Sequence, residues 1–209
     1  MKKFLLTIIC FSFLNIAFGQ KLLVGAGFTF SKFETQILDG SHNPASSMSI
    51  QVINHSASFG FEVLEQRFFS FTSGLNFYRT GGNSLSSRVN IDYVSFNNTI
   101  NFNPINKKIK LQLQLGPRLD YILQNSLENT MAARSKFNYG ITTGIGAYYQ
   151  FRKVQLGINA MNFGRQNILF DTQDYKSVNN FGSNWPRIIM DEKFWLLNLS
   201  LGVKLNSEE

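Results

Sequence analysis

The sequence predicts an all-β protein, an eight-stranded antiparallel up-and-down transmembrane β-barrel. Three observations support this fold class: apolar and polar residues alternate in roughly eight segments, short and long connections alternate between those segments, and large apolar residues coexist with few charges. The 209-residue chain contains 21 Phe, and only 16% of its residues are charged, against about 25% in a typical soluble protein. A surface that faces lipid accounts for both numbers.

The first four predicted strands each place bulky apolar residues on one parity and small or polar residues on the other. Successive side chains of a strand point to opposite faces, so each segment has one apolar face. The four segments read "LVGAGFTF", "ASFGFEV", "FSFTSGLNF" and "YVSFNNTINF". They lie within residues 22–31, 56–64, 68–78 and 91–102.

The last four predicted strands continue the same alternation. They read "KIKLQLQLGPRLDYIL", "FNYGITTGIGAYYQF", "VQLGINAM" and "FWLLNLSLGVKL". Pro117 interrupts the fifth strand, and a proline cannot donate a hydrogen bond to a sheet. Because alternation resumes after it, we expect a bulge or a local bend there and a continuing strand. The four segments cover residues 108–123, 137–151, 154–161 and 194–205.

The connections between these strands alternate in length. Three are short, at residues 65–67, 103–107 and 152–153, and four are long, at residues 32–55, 79–90, 122–136 and 162–193. The short turns and both ends of the mature chain therefore lie at one end of the barrel, and the long loops lie at the other. Outer-membrane barrels have this polarity, with short periplasmic turns and longer extracellular loops.

The identity of the polar residues indicates which face looks outward. A soluble lipocalin-like barrel would expose its polar parity to water, where Lys and Glu are expected. Here that parity is mainly Gly, Ser, Thr, Asn and Gln, which suit the crowded interior of a narrow barrel. The Phe- and Leu-rich parity would overfill such an interior, so the sequence favours an apolar face toward lipid.

Residues 1–19 have the layout of a secretory signal peptide. Lys2 and Lys3 precede an apolar run over residues 4–18, and Ala17 and Gly19 fit the small-residue positions of a cleavage site. About 15 residues is short of the roughly 20 that a membrane-spanning helix needs. We therefore expect residues 20–209 to form one barrel domain in the outer membrane of a Gram-negative bacterium.

The composition excludes several kinds of partner and chemistry. Without Lys2 and Lys3, the net charge of +7 falls to +5, from 18 basic and 13 acidic side chains. The basic residues are scattered, which disfavours nucleic-acid binding. The single cysteine, Cys10, lies in the signal peptide. The sequence contains no phosphate-binding loop and no metal-ligand cluster, so we expect no cofactor.

Several segments resemble the outer-membrane β-barrel domain of PorT-like proteins. The resemblance rests on "VGAGFTF" after the signal peptide, "DYVSFNNTINF", "KKIKLQLQLGPRLDYIL" and "FNYGITTGIGAYYQF" before a tight basic turn. It covers nearly the whole mature chain. The resemblance implies a barrel in the outer membrane and, further, an envelope complex of type IX secretion as a partner.

Five charged residues share the polar parity and are therefore expected inside the barrel. Glu62, Lys110 and Lys204 should lie near the short-turn end, and Arg118 and Asp120 nearer the loop end. Charges inside a narrow barrel pair with one another, because an unpaired buried charge is costly. We therefore expect Glu62 within pairing distance of a lysine, in a structural plug. The alternative is a gate on a path for small solutes.

The long loop at residues 162–193 is a candidate partner surface, because exposed aromatic side chains on a loop can bind another protein. The alternative is that they pack on the loop itself or extend the barrel wall. Its aromatic residues are Phe163, Phe170, Tyr175, Phe181 and Trp185.

Both histidines lie in the first long connection, His42 near its middle and His55 at its end. A barrel-embedded lipid hydrolase would need a Ser–His pair, but Ser56 and Ser58 lie one and three residues from His55. Residues at odd spacing on a strand point to opposite faces, so neither serine can pair with His55. The sequence therefore predicts no enzyme.

The predicted function is that of a barrel with a largely filled lumen, because side chains fill the interior of an eight-stranded barrel. Such a protein would act through its outer loops as a structural, adhesion or secretion-accessory component, with outer-membrane lipid around it. A small-solute porin is the alternative, and a soluble lipocalin-like ligand-binding barrel is a further one.

Overall fold

The computed structural model shows an antiparallel β-sheet that closes on itself. It describes residues 21–38, 44–83, 88–125, 136–165, 170–171 and 187–205. Within these residues, no helix is long and apolar enough to cross a membrane. The predicted signal peptide at residues 1–19 lies outside the described residues.

The sheet consists of eight long strands and one two-residue strand. Neighbouring strands pair in the order β1-β2-β3-β4-β5-β6-β7-β9, and β9 pairs back with β1. The short β8 adds to β9 at its loop end. The predicted fold class is therefore confirmed. The strands are β1 Lys21–Leu38, β2 Pro44–Val63, β3 Phe69–Asn83, β4 Arg88–Asn106, β5 Ile109–Asn125, β6 Phe137–Gln150, β7 Val154–Arg165, β8 Phe170–Asp171 and β9 Arg187–Lys204.

The strands are longer than predicted at the loop end. Residues 32–55 were expected to form one loop, but β1 continues to Leu38 and β2 begins at Pro44. The other long connections are shortened in the same way. The cause is visible at Lys32 and Gln51, which pair across β1 and β2 and are both exposed. The outward side chains are polar there, so the alternation disappears while the backbone hydrogen bonds continue.

The expected bulge at Pro117 is absent. β5 keeps a constant register with β6 through Gly116 and Pro117, and its register with β4 is the same on both sides of them. A Cβ at position 116 would collide with the Asn98 carbonyl oxygen of β4. Glycine therefore allows the two backbones to approach closely beside the proline. The register between β4 and β5 shifts by one residue at two other places, near Pro104 and at Leu123.

The two faces of the sheet have opposite polarity, as the sequence predicts. Large apolar side chains point outward and are exposed; Ile100 is 62% exposed and Leu199 66%. Polar side chains point inward and are buried, among them Thr142 and Asn198. A soluble barrel has the reverse arrangement. This arrangement suits a wall that faces hydrocarbon, where sheet closure satisfies the backbone.

Exposed aromatic side chains mark both edges of this outward apolar surface, which we name the apolar belt. Aromatic girdles at both interfaces are characteristic of membrane barrels. At the short-turn edge they are Phe68, Phe69, Phe102, Tyr149 and Phe151, and at the loop edge Phe28, Phe77, Phe137, Tyr139 and Trp195. Beyond the loop edge, the outward Arg79–Asp92 ion pair, with Nε 2.6 Å from Oδ1, marks the polar level.

The depth of the apolar belt leads to a first prediction. Leu115 points outward opposite Ile100 of β4, midway along the outward residues of β5, and is 58% exposed. Replacing it with Arg puts a charge into hydrocarbon and should lower the free energy of unfolding in phospholipid vesicles by about 2–4 kcal/mol. Chemical denaturation of the reconstituted protein measures this change.

The matched control lies at the loop end of the same strand. Leu123 is 57% exposed and adjoins Gln124, which pairs with Asp92 at the polar level. Leu123→Arg should cost only about 0–1 kcal/mol, because the charge reaches the interface. Equal costs for the two variants would contradict the assigned depth.

Candidate functional site

The lumen is the candidate site, and its short-turn end is occupied by buried charges. Lys110 Nζ lies 2.5 Å from Glu62 Oε1 and 3.2 Å from Glu65 Oε1. Lys21 Nζ lies 2.5 Å from Glu65 Oε1 and 3.4 Å from Glu62 Oε2. Two lysines and two glutamates thus form a cluster without net charge, which we name the ion cluster.

The ion cluster links opposite walls of the barrel. Lys21 comes from β1, Glu62 from β2, Lys110 from β5, and Glu65 from the turn after β2. Lys21, Glu62 and Lys110 are no more than 1% exposed. Charges so deeply buried are tolerated only when they are paired and hydrogen-bonded. The cluster therefore restrains β5 relative to β1 and β2, with which it does not pair in the sheet.

Neutral donors and a neutral acceptor also bind the charged groups of the ion cluster. Ser70 Oγ donates to Glu62 Oε1 at 2.5 Å, and Gln112 Nε2 donates to the same oxygen at 3.2 Å. Lys21 Nζ donates to Gln155 Oε1 of β7 at 3.1 Å. These bonds add neutral partners to the charged groups, which buried ion pairs require.

A layer of amides and hydroxyls lies above the ion cluster. Asn101 Nδ2 donates to Thr72 Oγ1 at 2.7 Å, and Thr142 Oγ1 donates to Asn97 Oδ1 at 3.0 Å. The cavity in this layer has a volume of about 70 Å³, and its lining includes Gln114. One water occupies roughly 30 Å³ of liquid volume. The space therefore has room for a few waters and is far smaller than a typical ligand pocket of about 300–1,000 Å³.

The loop end of the lumen is filled by apolar and aromatic side chains. Tyr78 stacks on Tyr93 with ring centroids 5.1 Å apart, and Phe194 contacts Tyr78 at 5.0 Å and Phe163 at 5.1 Å. We name this cluster the apolar plug. Its members are Tyr78, Ile91, Tyr93, Ile122, Met161, Phe163, Phe194 and Leu196.

Arg118 and Asp120 lie against the apolar plug. Arg118 Nη2 is 3.2 Å from Asp120 Oδ2, and both side chains are fully buried. The guanidinium carbon lies 4.5 Å from the ring centroid of Phe163 and 5.4 Å from that of Phe194. Cation–π contacts of this kind contribute about 2 kcal/mol to the stability of a desolvated cation. The lumen is thus filled from the ion cluster to the plug.

Four of the five predicted lumen charges lie inside the barrel. The ion cluster contains Glu62 and Lys110, and the pairing predicted for Glu62 is present. Arg118 and Asp120 are also buried as expected. The prediction for Lys204 is wrong: its position has the inward parity, but its side chain is exposed and not in the lumen. It is the last residue of β9, so its side chain leaves the lumen at the rim.

The candidate partner loop is only partly described. Phe163 was expected in this loop but belongs to β7, is 2% exposed and packs in the apolar plug. The prediction for Phe163 is wrong because β7 continues to Arg165, beyond its predicted end at residue 161. Phe170 lies in the short strand β8. Tyr175, Phe181 and Trp185 lie outside the described residues.

The histidines do not form a catalytic pair with the neighbouring serine in the described residues. His55 is exposed, whereas Ser56 is buried and donates to Asn198 Oδ1 at 2.7 Å. His42 lies outside the described residues. Among the residues that the structure describes, no group of three or more His, Cys, Asp or Glu could hold a metal ion.

Sequence reasoning missed two members of the ion cluster and most of the apolar plug. Lys21 lies one residue before the first predicted strand, although it has the same inward parity as Gly25 and Gly27. Glu65 lies in a predicted turn, and nothing in the sequence indicates that its side chain points into the barrel. Phe194 and Leu196 share the parity of Asn198, which could have located them in the lumen.

Comparison with known proteins supports the fold. No family model matches the chain. No curated protein matches it either. Among solved structures, the outer membrane protein OprG of Pseudomonas aeruginosa matches with a TM-score of 0.56 and 10% identity, over 90% of this chain and 97% of OprG. Ail, the attachment invasion locus protein of Yersinia pestis, matches with a TM-score of 0.43 and 10% identity, over 88% and 99% of the two chains. Likeness to OprG at this identity shows a shared fold alone.

The ion cluster leads to a second prediction. Glu62→Gln leaves Lys21 and Lys110 with only one carboxylate between them. An unbalanced buried charge should lower the free energy of unfolding by about 3–5 kcal/mol. Denaturant titration of the reconstituted protein measures the change.

The control restores the charge balance. In the double variant Glu62→Gln/Lys110→Gln, Lys21 and Glu65 remain as a pair 2.5 Å apart. This variant should therefore recover part of the stability that the single variant loses. A double variant as unstable as the sum of both single variants would show that the two groups are not energetically coupled.

Proposed function

We propose that the protein is an outer-membrane β-barrel with a filled lumen that acts through its outer loops. Its role would be that of a structural, adhesion or secretion-accessory component of the envelope, without catalysis. The observation that carries this proposal is the combination of an apolar outer wall with a lumen closed at both ends. A molecule built in this way is held in a membrane but offers no open path through it.

The proposed location follows from the outward apolar belt and the predicted signal peptide. The belt excludes water from most of the outer wall, which argues against the soluble lipocalin-like alternative. An exported barrel of this kind belongs in the outer membrane of a Gram-negative bacterium. OprG, whose fold this chain shares, is named an outer membrane protein.

The layered lumen argues against the porin alternative. A solute would have to displace the ion cluster, whose charges need their partners, and then the apolar plug. The cavity between them, at about 70 Å³, is too small for a sugar or an amino acid. These layers favour a structural plug over a gate.

The remaining candidates for function are the loop-end segments. The strands extend beyond the apolar belt there, as at Lys32 and Gln51, so their loop ends lie outside the membrane. The PorT-like resemblance supports an envelope complex, and type IX secretion in particular, as the partner. In this proposal Phe170, Tyr175, Phe181 and Trp185 contact that partner.

Conductance in planar bilayers gives the third prediction. The reconstituted protein should show no stable open channel, because the ion cluster and the apolar plug close the lumen. Stepwise conductance would support the small-solute porin instead.

The proposed partner surface on the loop is tested separately. Replacing Tyr175, Phe181 and Trp185 with Ser should shift the outer-membrane protein to a smaller complex on native gels. An unchanged complex would argue against the loop as the partner surface.

A further inference from the structure

We propose that the short-turn end of the barrel carries a binding surface for anionic phospholipids. The inference rests on the membrane insertion proposed above and goes beyond it. Six cationic side chains at this end are exposed, and we name them the basic rim. They are Arg67, Lys107, Lys108, Arg152, Lys153 and Lys204.

The basic rim is distributed around the barrel. Arg67 lies between β2 and β3, Lys107 and Lys108 lie between β4 and β5, and Arg152 and Lys153 lie between β6 and β7. Lys204 ends β9, where the sheet closes on β1. Every junction between strands at this end therefore presents at least one cation. The surface is a ring and not a one-sided patch.

The acidic side chain that the short turns contain is withdrawn from the rim. Glu65 precedes Arg67 by two residues, but its carboxylate lies 2.5 Å from Lys21 Nζ in the ion cluster and is only 14% exposed. Its negative charge is balanced inside the lumen. Residues 206–209, which include two further glutamates, lie outside the described residues. Within the described part of this end, the exposed charges are all positive.

The aromatic girdle fixes the depth of the basic rim. The Arg67 guanidinium carbon lies 4.9 Å from the ring centroid of Phe68, and Lys108 Nζ lies 5.3 Å from that of Tyr149. Phe68 and Tyr149 are exposed at the edge of the apolar belt. Aromatic girdles sit at headgroup level, so cations in contact with them lie at the level of lipid phosphates.

The ring shape favours lipid over an acidic protein or polymer. A soluble partner that docks on one side would meet only part of the ring. Lipids surround the barrel, so each junction can contact a different headgroup. Basic residues next to a membrane surface attract anionic lipids individually, and several together produce a measurable preference.

Lipid selectivity measured by electron paramagnetic resonance tests the proposal. The protein is reconstituted in phosphatidylcholine vesicles that contain spin-labelled phosphatidylglycerol or spin-labelled phosphatidylcholine. We expect phosphatidylglycerol to be enriched roughly 3- to 10-fold in the motionally restricted lipid at low salt. In about 1 M salt the enrichment should fall toward 1, because the Debye length shrinks to about 3 Å.

Two variants that each lose three positive charges distinguish the effect of the basic rim on lipid enrichment from the effect of the protein's net charge. The rim variant Arg67→Gln/Lys108→Gln/Arg152→Gln removes one cation from each short turn and should lose at least half of the enrichment. The control variant Lys32→Gln/Lys136→Gln/Lys193→Gln removes three exposed cations from the loop half of the barrel. These cations adjoin the girdle at the loop edge and meet the other leaflet. With spin-labelled lipid confined to the leaflet at the short-turn end, this variant should therefore keep the enrichment of the unmodified protein.

The outcomes distinguish this proposal from the membrane location on which it rests. A restricted component in phosphatidylcholine alone demonstrates insertion, whatever the selectivity. Equal affinity of the unmodified protein for both lipids would overturn the proposal and leave an acidic soluble partner for the rim. An equal loss in both variants would also overturn it, because net charge would then be the cause.

Discussion

A segment that crosses hydrocarbon must satisfy every backbone hydrogen bond within the protein. A sheet meets this requirement only by closing on itself, and here β9 returns to β1. Their pairing runs without a shift from Lys21 opposite Lys204 to Leu38 opposite Arg187. The closed ring of strands determines what each side chain can face. Each residue of a long strand points either toward the surrounding medium or into a narrow shared interior.

The interior is therefore packed like a protein core, but largely with polar groups. Small residues on the inward parity leave room for the long side chains of the ion cluster. Its charges are neutralised locally, by Lys21, Glu62, Glu65 and Lys110, because water is excluded. At the loop end the interior is packed with aromatic side chains such as Phe163 and Phe194. Arg118 contacts both rings, at the boundary between the polar layer and the apolar plug. Among the residues whose exposure the structure describes, the exposed cations lie at the rim and at the loop end.

The alternation in the sequence predicted the strand order, the face of almost every strand residue and the pairing of Glu62. These predictions succeeded because one face of each strand meets an apolar medium, so apolar and polar residues alternate along the strand with few exceptions. The same reasoning failed beyond the apolar belt, where Lys32 and Gln51 are both polar and outward. At Pro117 the strand continues as predicted but without a bulge, because Gly116 allows the close approach of β4, while the register with β4 shifts near Pro104 and at Leu123. Backbone proximity between strands is a tertiary property that neither proline reveals locally. Glu65 was missed for a related reason, since a turn residue has no parity that indicates its direction.

The most direct test of an apolar wall that faces lipid is cell fractionation combined with gel mobility before and after boiling. Membrane barrels that remain folded in detergent migrate differently from their denatured chains. We expect the mature protein to be recovered in the outer membrane and its mobility to shift on boiling. Recovery as a soluble periplasmic protein without a mobility shift would contradict it, because the apolar residues would then face an interior core.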